Sequence, residues 1–118
     1  SRIDILLEDP QKGLAYVEIK NVHLSRQDGL AEFPDSVTER GAKHLAELGA
    51  MVAAGHRAVM VYLIQRSDAE RFSLAADIDP RYAAAYEVAR EAGVEALAYA
   101  CHLTPEGIVL TRPVPIEA

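Results

Sequence analysis

The pattern of apolar and polar positions along the chain predicts two helices set among several strands. Two early strands, from about Arg2 to Val22, form a hairpin around the turn-rich residues 9–13. Residues 22–24 extend its second strand or form a short third one. Residues 25–37 are predicted to be a long connection, a length that in compact domains is often functional or mobile.

A first helix is predicted from about Val37 to Ala54. Ser36 and Glu39 have the spacing of a capping box at its start, and Gly55 is placed to end it. The helix leads into residues 58–64, which are apolar at every position. Such a run is typical of a strand buried on both faces of a sheet that helices cover.

A second helix is predicted to begin after Asp79, with Pro80 as its first residue, and to end at Gly93. Two final strands follow, Glu95 to Leu103 and Ile108 to Arg112. The order β-β-(β)-α-β-α-β-β predicts a mixed sheet with helices packed on it, antiparallel at its margins. The fold class is therefore α/β or α+β.

Composition restricts the number of domains and the cellular compartment that the chain is compatible with. With 118 residues, of which 50% are hydrophobic and 25% charged, the chain is large enough for one globular domain. No apolar stretch approaches the ~20 residues that span a bilayer, so we expect no membrane partner. Cys101 is the only cysteine, which excludes a disulfide framework and favours a cytoplasmic protein. We interpret Cys101 as a small hydrophobic strand residue with no redox role.

One acidic residue interrupts the first apolar strand. If the hairpin reverses at Gln11, Asp4 lies opposite Glu18, roughly 5 Å away, where like charges destabilise a sheet. A divalent cation would offset that repulsion. Lys20 lies two residues beyond Glu18 and therefore projects from the same face.

Two carboxylates and a lysine on one face suit metal-assisted phosphodiester hydrolysis. Asp4 and Glu18, with the Ile19 carbonyl, would bind Mg²⁺ or Mn²⁺, and Lys20 would orient water or stabilise charge on the phosphate. The alternative is a solvated sheet face on which Lys20 merely neutralises Glu18.

Further cationic and polar residues could hold a phosphate or DNA. Arg40, Lys43 and His44 lie near the start of the first helix, where the helix N-terminus helps to bind anions. Their alternative is an ordinary solvated helix face. Gln65 and Arg66 end the buried strand and can reach a site at the sheet edge; their alternative is simple strand termination.

The charge of the chain opposes nucleic-acid binding. Its formal net charge is −6, whereas DNA-binding surfaces are normally basic. Nine of its twelve basic residues are arginines, the better ligands for phosphate. The chain also begins abruptly in a strand, so we expect it to be a fragment of a longer protein.

The sequence resembles the sugar fermentation stimulation protein A family. The most specific stretch is Thr-Glu-Arg-Gly-x-Lys-His-Leu at residues 38–45, and the likeness spans nearly the whole chain. It is carried by residues 1–4, 16–22, 33–45, 65–69, 78–82 and 93–95.

The resemblance implies a restriction-endonuclease-like fold of the PD-(D/E)xK type, a mixed sheet flanked by helices. Asp4, Glu18 and Lys20 match its signature. In that family a helix and an N-terminal barrel of the oligonucleotide-binding type precede this region. Residues 1–118 would then be a nuclease-like domain that lacks both. The family is described as DNA-binding and is linked to the regulation of sugar metabolism, maltose in particular.

These observations lead to one functional hypothesis and two alternatives. The hypothesis is a DNA-binding protein with a nuclease-like metal site, capable of Mg²⁺- or Mn²⁺-dependent cleavage. The first alternative is a non-catalytic DNA-binding regulator that retains the pocket. The second is a domain that binds a metal or sugar phosphate without nucleic acid. Whether the protein forms a homo-oligomer is left open.

Overall fold

Eight strands and two helices make up the described part of the chain. The computed structural model describes residues 5–9 and 13–117, with side chains from residue 15 onward. The elements, in chain order, are β1 (Ile5–Asp9), β2 (Gly13–Val22), β3 (Leu24–Gln27), β4 (Leu30–Phe33), α1 (Glu39–Ala53), β5 (Arg57–Ile64), β6 (Arg71–Leu74), α2 (Pro80–Ala92), β7 (Glu95–Thr104) and β8 (Gly107–Pro113).

Strand β5 lies at the centre of a five-stranded sheet with the order β1-β2-β5-β7-β8. It pairs in parallel with β2 and β7, while the marginal pairs β1–β2 and β7–β8 are antiparallel. Residues 58–60 and 62–64 of β5 are buried. The predicted mixed sheet with antiparallel margins and a doubly buried strand is therefore confirmed.

A second, three-stranded sheet of order β3-β4-β6 was not predicted. Residues 25–37 are not one long connection, because β3 and β4 form a hairpin around Asp28 and Gly29, whose φ is +74°. Strand β4 also pairs in parallel with β6, which lies in the stretch interpreted as a polar loop. Each strand has only four residues, too few for a clear alternation, and burial of Ala31 and Phe72 depends on distant partners.

Helices α1 and α2 pack against each other, and α1 also packs on β5 and β2. The first helix is capped by Thr38, whose Oγ1 accepts a hydrogen bond from the Gly41 N–H, so the predicted cap at Ser36 is wrong. Asp79 caps α2 and Pro80 is its first residue, as predicted, and Gly93 ends it with φ +108°.

The core is centred on aromatic side chains beneath the two helices. The hydroxyls of Tyr62 and Tyr82 form a hydrogen bond of 2.7 Å, and the Tyr62 ring packs 4.6 Å from that of Phe72, centroid to centroid. Cys101 is buried in β7, where its Sγ donates to the Ile64 carbonyl at 3.4 Å. Within residues 5–9 and 13–117, neither helix is long and apolar enough to cross a membrane.

Candidate functional site

A buried carboxylate on β2 forms the centre of the site. Glu18 pairs with Met60 and Lys20 with Tyr62 in the parallel β2–β5 ladder. Side chains two apart on a strand share a face, and Met60 and Tyr62 belong to the core beneath the helices. Glu18 and Lys20 therefore project towards α1, and the Glu18 residue is only 1% exposed.

Three side chains meet at this point. Glu18 Oε1 lies 3.4 Å from Lys20 Nζ and 3.0 Å from Nδ1 of His44, which is contributed by α1. Lys20 Nζ lies 3.1 Å from the same Nδ1. The side chains of Glu18 and His44 are 2% and 5% exposed, while that of Lys20 keeps 18% and reaches the surface.

Hydrogen-bond capacity in this cluster is not fully used. Glu18 Oε2 and His44 Nε2 are buried and have no hydrogen-bond partner. A lysine ammonium only donates, so its contact with Nδ1 requires the proton of neutral His44 to be on Nε2. If Nδ1 carries the proton instead, it donates to Glu18. Glu18 Oε2 keeps its lone pairs unused in both tautomers.

An unpartnered buried carboxylate oxygen is energetically costly. Lys20 compensates part of the Glu18 charge from one side, but it is bound to Oε1 only. Oε2 can accept a hydrogen bond from a ligand or bind a hard cation, for which carboxylate oxygens are the preferred ligands. The alternative of a solvated sheet face does not hold for Glu18, because the helix covers it.

The hydrogen-bonded hydroxyls of Tyr62 and Tyr82 are uncharged groups near the carboxylate of Glu18. The pKa of Tyr82 is raised well above its usual value, chiefly by burial, and the negative charge of nearby Glu18 contributes to the rise. Burial likewise raises the pKa of Tyr62. Both hydroxyls therefore stay protonated at neutral pH and cannot add negative charge to the cluster.

Gly41 allows the Tyr82 ring to pack closely against α1. Sequence reasoning did not identify Gly41 as a site residue. A Cβ at Gly41 would lie 3.0 Å from Tyr82 Cε1 and 2.9 Å from Thr38 Cγ2. The signal was available, since a glycine inside a helical pattern often marks a close approach.

The predicted row of Arg40, Lys43 and His44 is divided between two faces of α1. Arg40 and Lys43 are exposed, whereas His44 is buried against Glu18 and Lys20. His44 is therefore unavailable to a ligand on the outer helix surface. A phosphate-binding role for Arg40 and Lys43 stays a prediction.

Gln65 and Arg66 lie at the end of β5, as predicted, but away from the buried cluster. Gln65 Nε2 donates to Asn21 Oδ1 at 3.1 Å, and Asn21 projects from the sheet face opposite to Lys20. The Arg66 guanidinium makes two hydrogen bonds, of 2.9 and 2.8 Å, to the carboxylate of Asp68. Their role as DNA ligands stays a prediction.

Asp4 lies outside the described residues. The described part of the first hairpin nevertheless has the predicted register, in which Ile5 pairs with Val17 and Leu7 with Ala15. Ile19 pairs with Val61 in the adjoining ladder. Among the described residues, no group of three or more histidine, cysteine, aspartate or glutamate side chains is arranged to hold a metal ion.

A mixed sheet flanked by helices, with a buried Glu-x-Lys on its second strand, defines a restriction-endonuclease-like domain. Residues 1–107 match the family model described as "Sugar fermentation stimulation protein RE domain". The chain belongs to the sugar fermentation stimulation protein family.

Similar proteins agree with this assignment. The sugar fermentation stimulation protein homolog of Rhodospirillum centenum is 67% identical over 118 residues, which are 100% of this chain and 51% of that protein. The homolog of Sinorhizobium medicae is 63% identical over 117 residues, 99% of this chain and 49% of that protein. The chain thus spans about half the length of these relatives.

A solved structure shares the fold. It is titled "The structure of Pyrococcus Furiosus SfsA in complex with Ca2+" and is 32% identical, with a TM-score of 0.89. The alignment covers 100% of this chain and 51% of that one.

Proposed function

We propose that the chain carries the metal site of a DNA-binding protein and supports hydrolysis of DNA phosphodiesters with Mg²⁺ or Mn²⁺. The observation that carries the proposal is Glu18, a buried carboxylate with an unpartnered Oε2 beside Lys20. The Pyrococcus furiosus relative was solved with Ca²⁺, which is a hard cation that prefers oxygen ligands, as Mg²⁺ does.

Asp4 is included as the second cation ligand because of strand register. The pairing of Ile5 with Val17, if continued by one residue, would bring Asp4 opposite Glu18. The Ile19 carbonyl is proposed as a third oxygen ligand. When bound, the cation would lower the pKa of a water molecule and polarise the phosphate.

The protein side chains have separate tasks in this proposal. Glu18 offers Oε2 to the cation while Oε1 keeps Lys20 in place. Lys20, partly exposed, holds its ammonium at the mouth of the site and stabilises negative charge that develops on the phosphate. His44 restrains Lys20 from behind through Nδ1, and Arg40 and Lys43 hold neighbouring phosphates at the surface.

The test combines cation binding with DNA cleavage. Calorimetry with Mg²⁺, Mn²⁺ and Ca²⁺ should show at least tenfold weaker binding for Glu18→Gln, because the neutral amide removes the ligand charge. Cleavage of single- and double-stranded DNA should disappear in Lys20→Ala while circular dichroism and cation binding persist. Arg57→Ala is the matched control, because Arg57 is exposed and distant from the site. Lys20 pairs with Tyr62 of β5, and Arg57 lies five residues before Tyr62 on that strand, about 17 Å away.

Each result discriminates among the alternatives. Unchanged cation affinity in Glu18→Gln would overturn the metal site. Cleavage that survives in Lys20→Ala would remove Lys20 from the mechanism. If the wild type binds DNA without cleaving it, the alternative of a non-catalytic regulator is supported. If it binds the cation but not DNA, the alternative of a domain that binds a metal or sugar phosphate without nucleic acid is supported.

A further inference from the structure

An arginine and a carboxylate bind each other on the loop that follows β5. Arg66 Nε and Nη2 donate to the two carboxylate oxygens of Asp68 at 2.9 and 2.8 Å. The two side chains are 37% and 57% exposed, so both can reach a ligand at the surface. The hydrogen bonds from Arg66 lower the pKa of Asp68, which keeps this carboxyl group ionised at neutral pH.

The backbone of this loop is fixed on both sides of the pair. The Gln65 N–H donates to the Val22 carbonyl at 2.8 Å, and Arg112 Nη2 donates to the carbonyls of Ser67 and Ala69. Ala69 is also buried in the core. A change of partner at the guanidinium therefore requires side-chain rotation only, which is fast for exposed residues.

Arg66 lies at the edge of the sheet to which Lys20 also points the chain. Strands β2 and β5 are parallel, so their carboxyl ends meet at one edge, where ligands of α/β sheets commonly bind. Arg66 Nη1 donates to the His23 carbonyl at 3.5 Å. His23 follows Lys20 by three residues, no more than about 11 Å between Cα atoms. A DNA strand with a phosphate at Lys20 would therefore pass close to Arg66.

We propose that Asp68 is an intramolecular competitor of DNA phosphate for Arg66, and that DNA binding exchanges the carboxylate for a phosphate at the guanidinium. The inference rests on the proposed function, because it requires DNA at this edge of the sheet. The two anions can replace each other, since a guanidinium donates two parallel N–H bonds to a carboxylate or to a phosphate.

Exposure distinguishes this pair from the ion pair of Arg26. Displaced Asp68 is hydrated, and an exposed ion pair changes an equilibrium constant by up to about fivefold. Glu32, the partner of Arg26, is instead 7% exposed. Removing Arg26 from it would leave a buried carboxylate with a lost partner, which is costly. Exchange with a phosphate is therefore favoured at Arg66.

A double-mutant cycle tests the competition. Affinity for one duplex is measured by fluorescence anisotropy in the presence of a chelator, so that the cation site takes no part. Asp68→Asn should tighten binding about two- to fivefold, because the competing charge is removed, and Arg66→Ala should weaken it. In the Arg66→Ala background the gain from Asp68→Asn should largely disappear. An equal gain in both backgrounds would show that the two residues act independently and would overturn the proposal.

Glu95→Gln is the matched control for the change in net charge. Glu95 accepts two hydrogen bonds from Arg57, of 2.6 and 2.9 Å. Arg57 is the first residue of β5, so this pair lies at the opposite end of the strand from Arg66. Glu95→Gln removes the same charge as Asp68→Asn and should leave DNA affinity unchanged. Equal tightening by the two variants would mean that net charge alone is responsible, and the proposal would fail.

NMR of the arginine Nε–H groups observes the exchange directly. Saturating duplex should shift the Arg66 resonance, which is identified by its loss in Arg66→Ala, and should leave the Arg57 resonance unchanged. An unshifted Arg66 resonance at saturation would overturn the exchange while DNA binding itself stands. If neither the wild type nor any variant binds DNA, this inference and the DNA-binding function fail together. Absence of cleavage or cation binding, with the cycle as stated, would refute only the proposed metal site.

Discussion

Burial decides what the Glu-x-Lys pattern means at the level of single residues. That Glu18 and Lys20 share a face followed from the period of a strand. Strand periodicity could not show that this face is buried. Its burial depends on α1 packing over β2, a contact between segments about 25 residues apart in sequence. The structure places Glu18 at 1% exposure, where a carboxylate requires compensation.

His44 shows where a sequence signal existed but was assigned to the wrong face. It was grouped with Arg40 and Lys43 because the three are basic. Yet the buried residues of α1 are Gly41, His44, Leu45 and Leu48, which have the i, i+3, i+4, i+7 spacing of an inward stripe. The chemical similarity of the side chains outweighed the periodicity, and the periodicity was the better guide.

Gly41 provides a prediction at this scale. Alanine would add a Cβ 3.0 Å from the fully buried Tyr82 ring and 2.9 Å from the cap residue Thr38. Although alanine is favoured over glycine in a helix by about 1 kcal/mol, we expect Gly41→Ala to lower the free energy of unfolding by about 1–3 kcal/mol, the usual cost of overpacking. Urea denaturation measures it.

The control lies in the same helix. At Gly49 an added Cβ would meet only the Ala92 Cβ, at the ordinary distance of 3.9 Å. Gly49→Ala should therefore raise the free energy of unfolding by up to about 1 kcal/mol. Equal effects of the two substitutions would show that helix propensity, and not contact with Tyr82, governs position 41.

At the scale of elements, prediction succeeded for long elements and failed for short ones. Strand β5 was recognisable because its residues 58–64 are all apolar, and α2 because Asp79 and Gly93 mark its ends. The four-residue strands β3, β4 and β6 offered no comparable pattern. The Asp28-Gly29 turn was the missed signal, since this dipeptide between short strands favours a hairpin.

Asp79 joins the two helices and makes the stability of the domain depend on pH. Its carboxylate accepts from the Tyr82 N–H at 3.0 Å and from the Thr38 N–H at 2.8 Å, so it binds the start of α1 as well as α2. The hydrogen bond from Thr38 is the main cause that lowers the pKa of Asp79. A carboxyl whose pKa is lower in the folded state stabilises the fold above its unfolded pKa, about 3.9, and loses this contribution as pH falls.

Asp79→Asn separates this effect from general acid unfolding. The amide cannot accept both hydrogen bonds, so we expect a loss of about 1–3 kcal/mol of unfolding free energy at neutral pH. The difference from the wild type should shrink below about pH 4. Asp77, whose pKa is lowered to about 2 by its bonds to Arg26, titrates in both proteins and cancels. A difference that is constant with pH, measured by urea denaturation, would contradict the assignment.

For the molecule as a whole, net charge is the main obstacle to DNA binding. The net charge of the chain is −6, so the proposed phosphate contacts would depend on a few local cations instead of a broad basic surface. Sequence alone gave this balance but not its distribution. In the structure Arg26, Arg57 and Arg66 are each paired with carboxylates, so a phosphate would have to compete with these carboxylates for their guanidinium groups.

Salt dependence measures how many of the remaining cations contact DNA. Each phosphate contact contributes about −0.9 to the slope of log K against log salt. We expect Arg40→Ala to make this slope shallower by about 1, and Arg40→Ala with Lys43→Ala by about 2, in fluorescence anisotropy titrations of one duplex. Arg57→Ala, which removes a cation already paired with Glu95, should leave the slope unchanged. Equal slopes for all four proteins would mean that the outer face of α1 does not contact DNA, and phosphate binding at Arg40 and Lys43 would then be excluded.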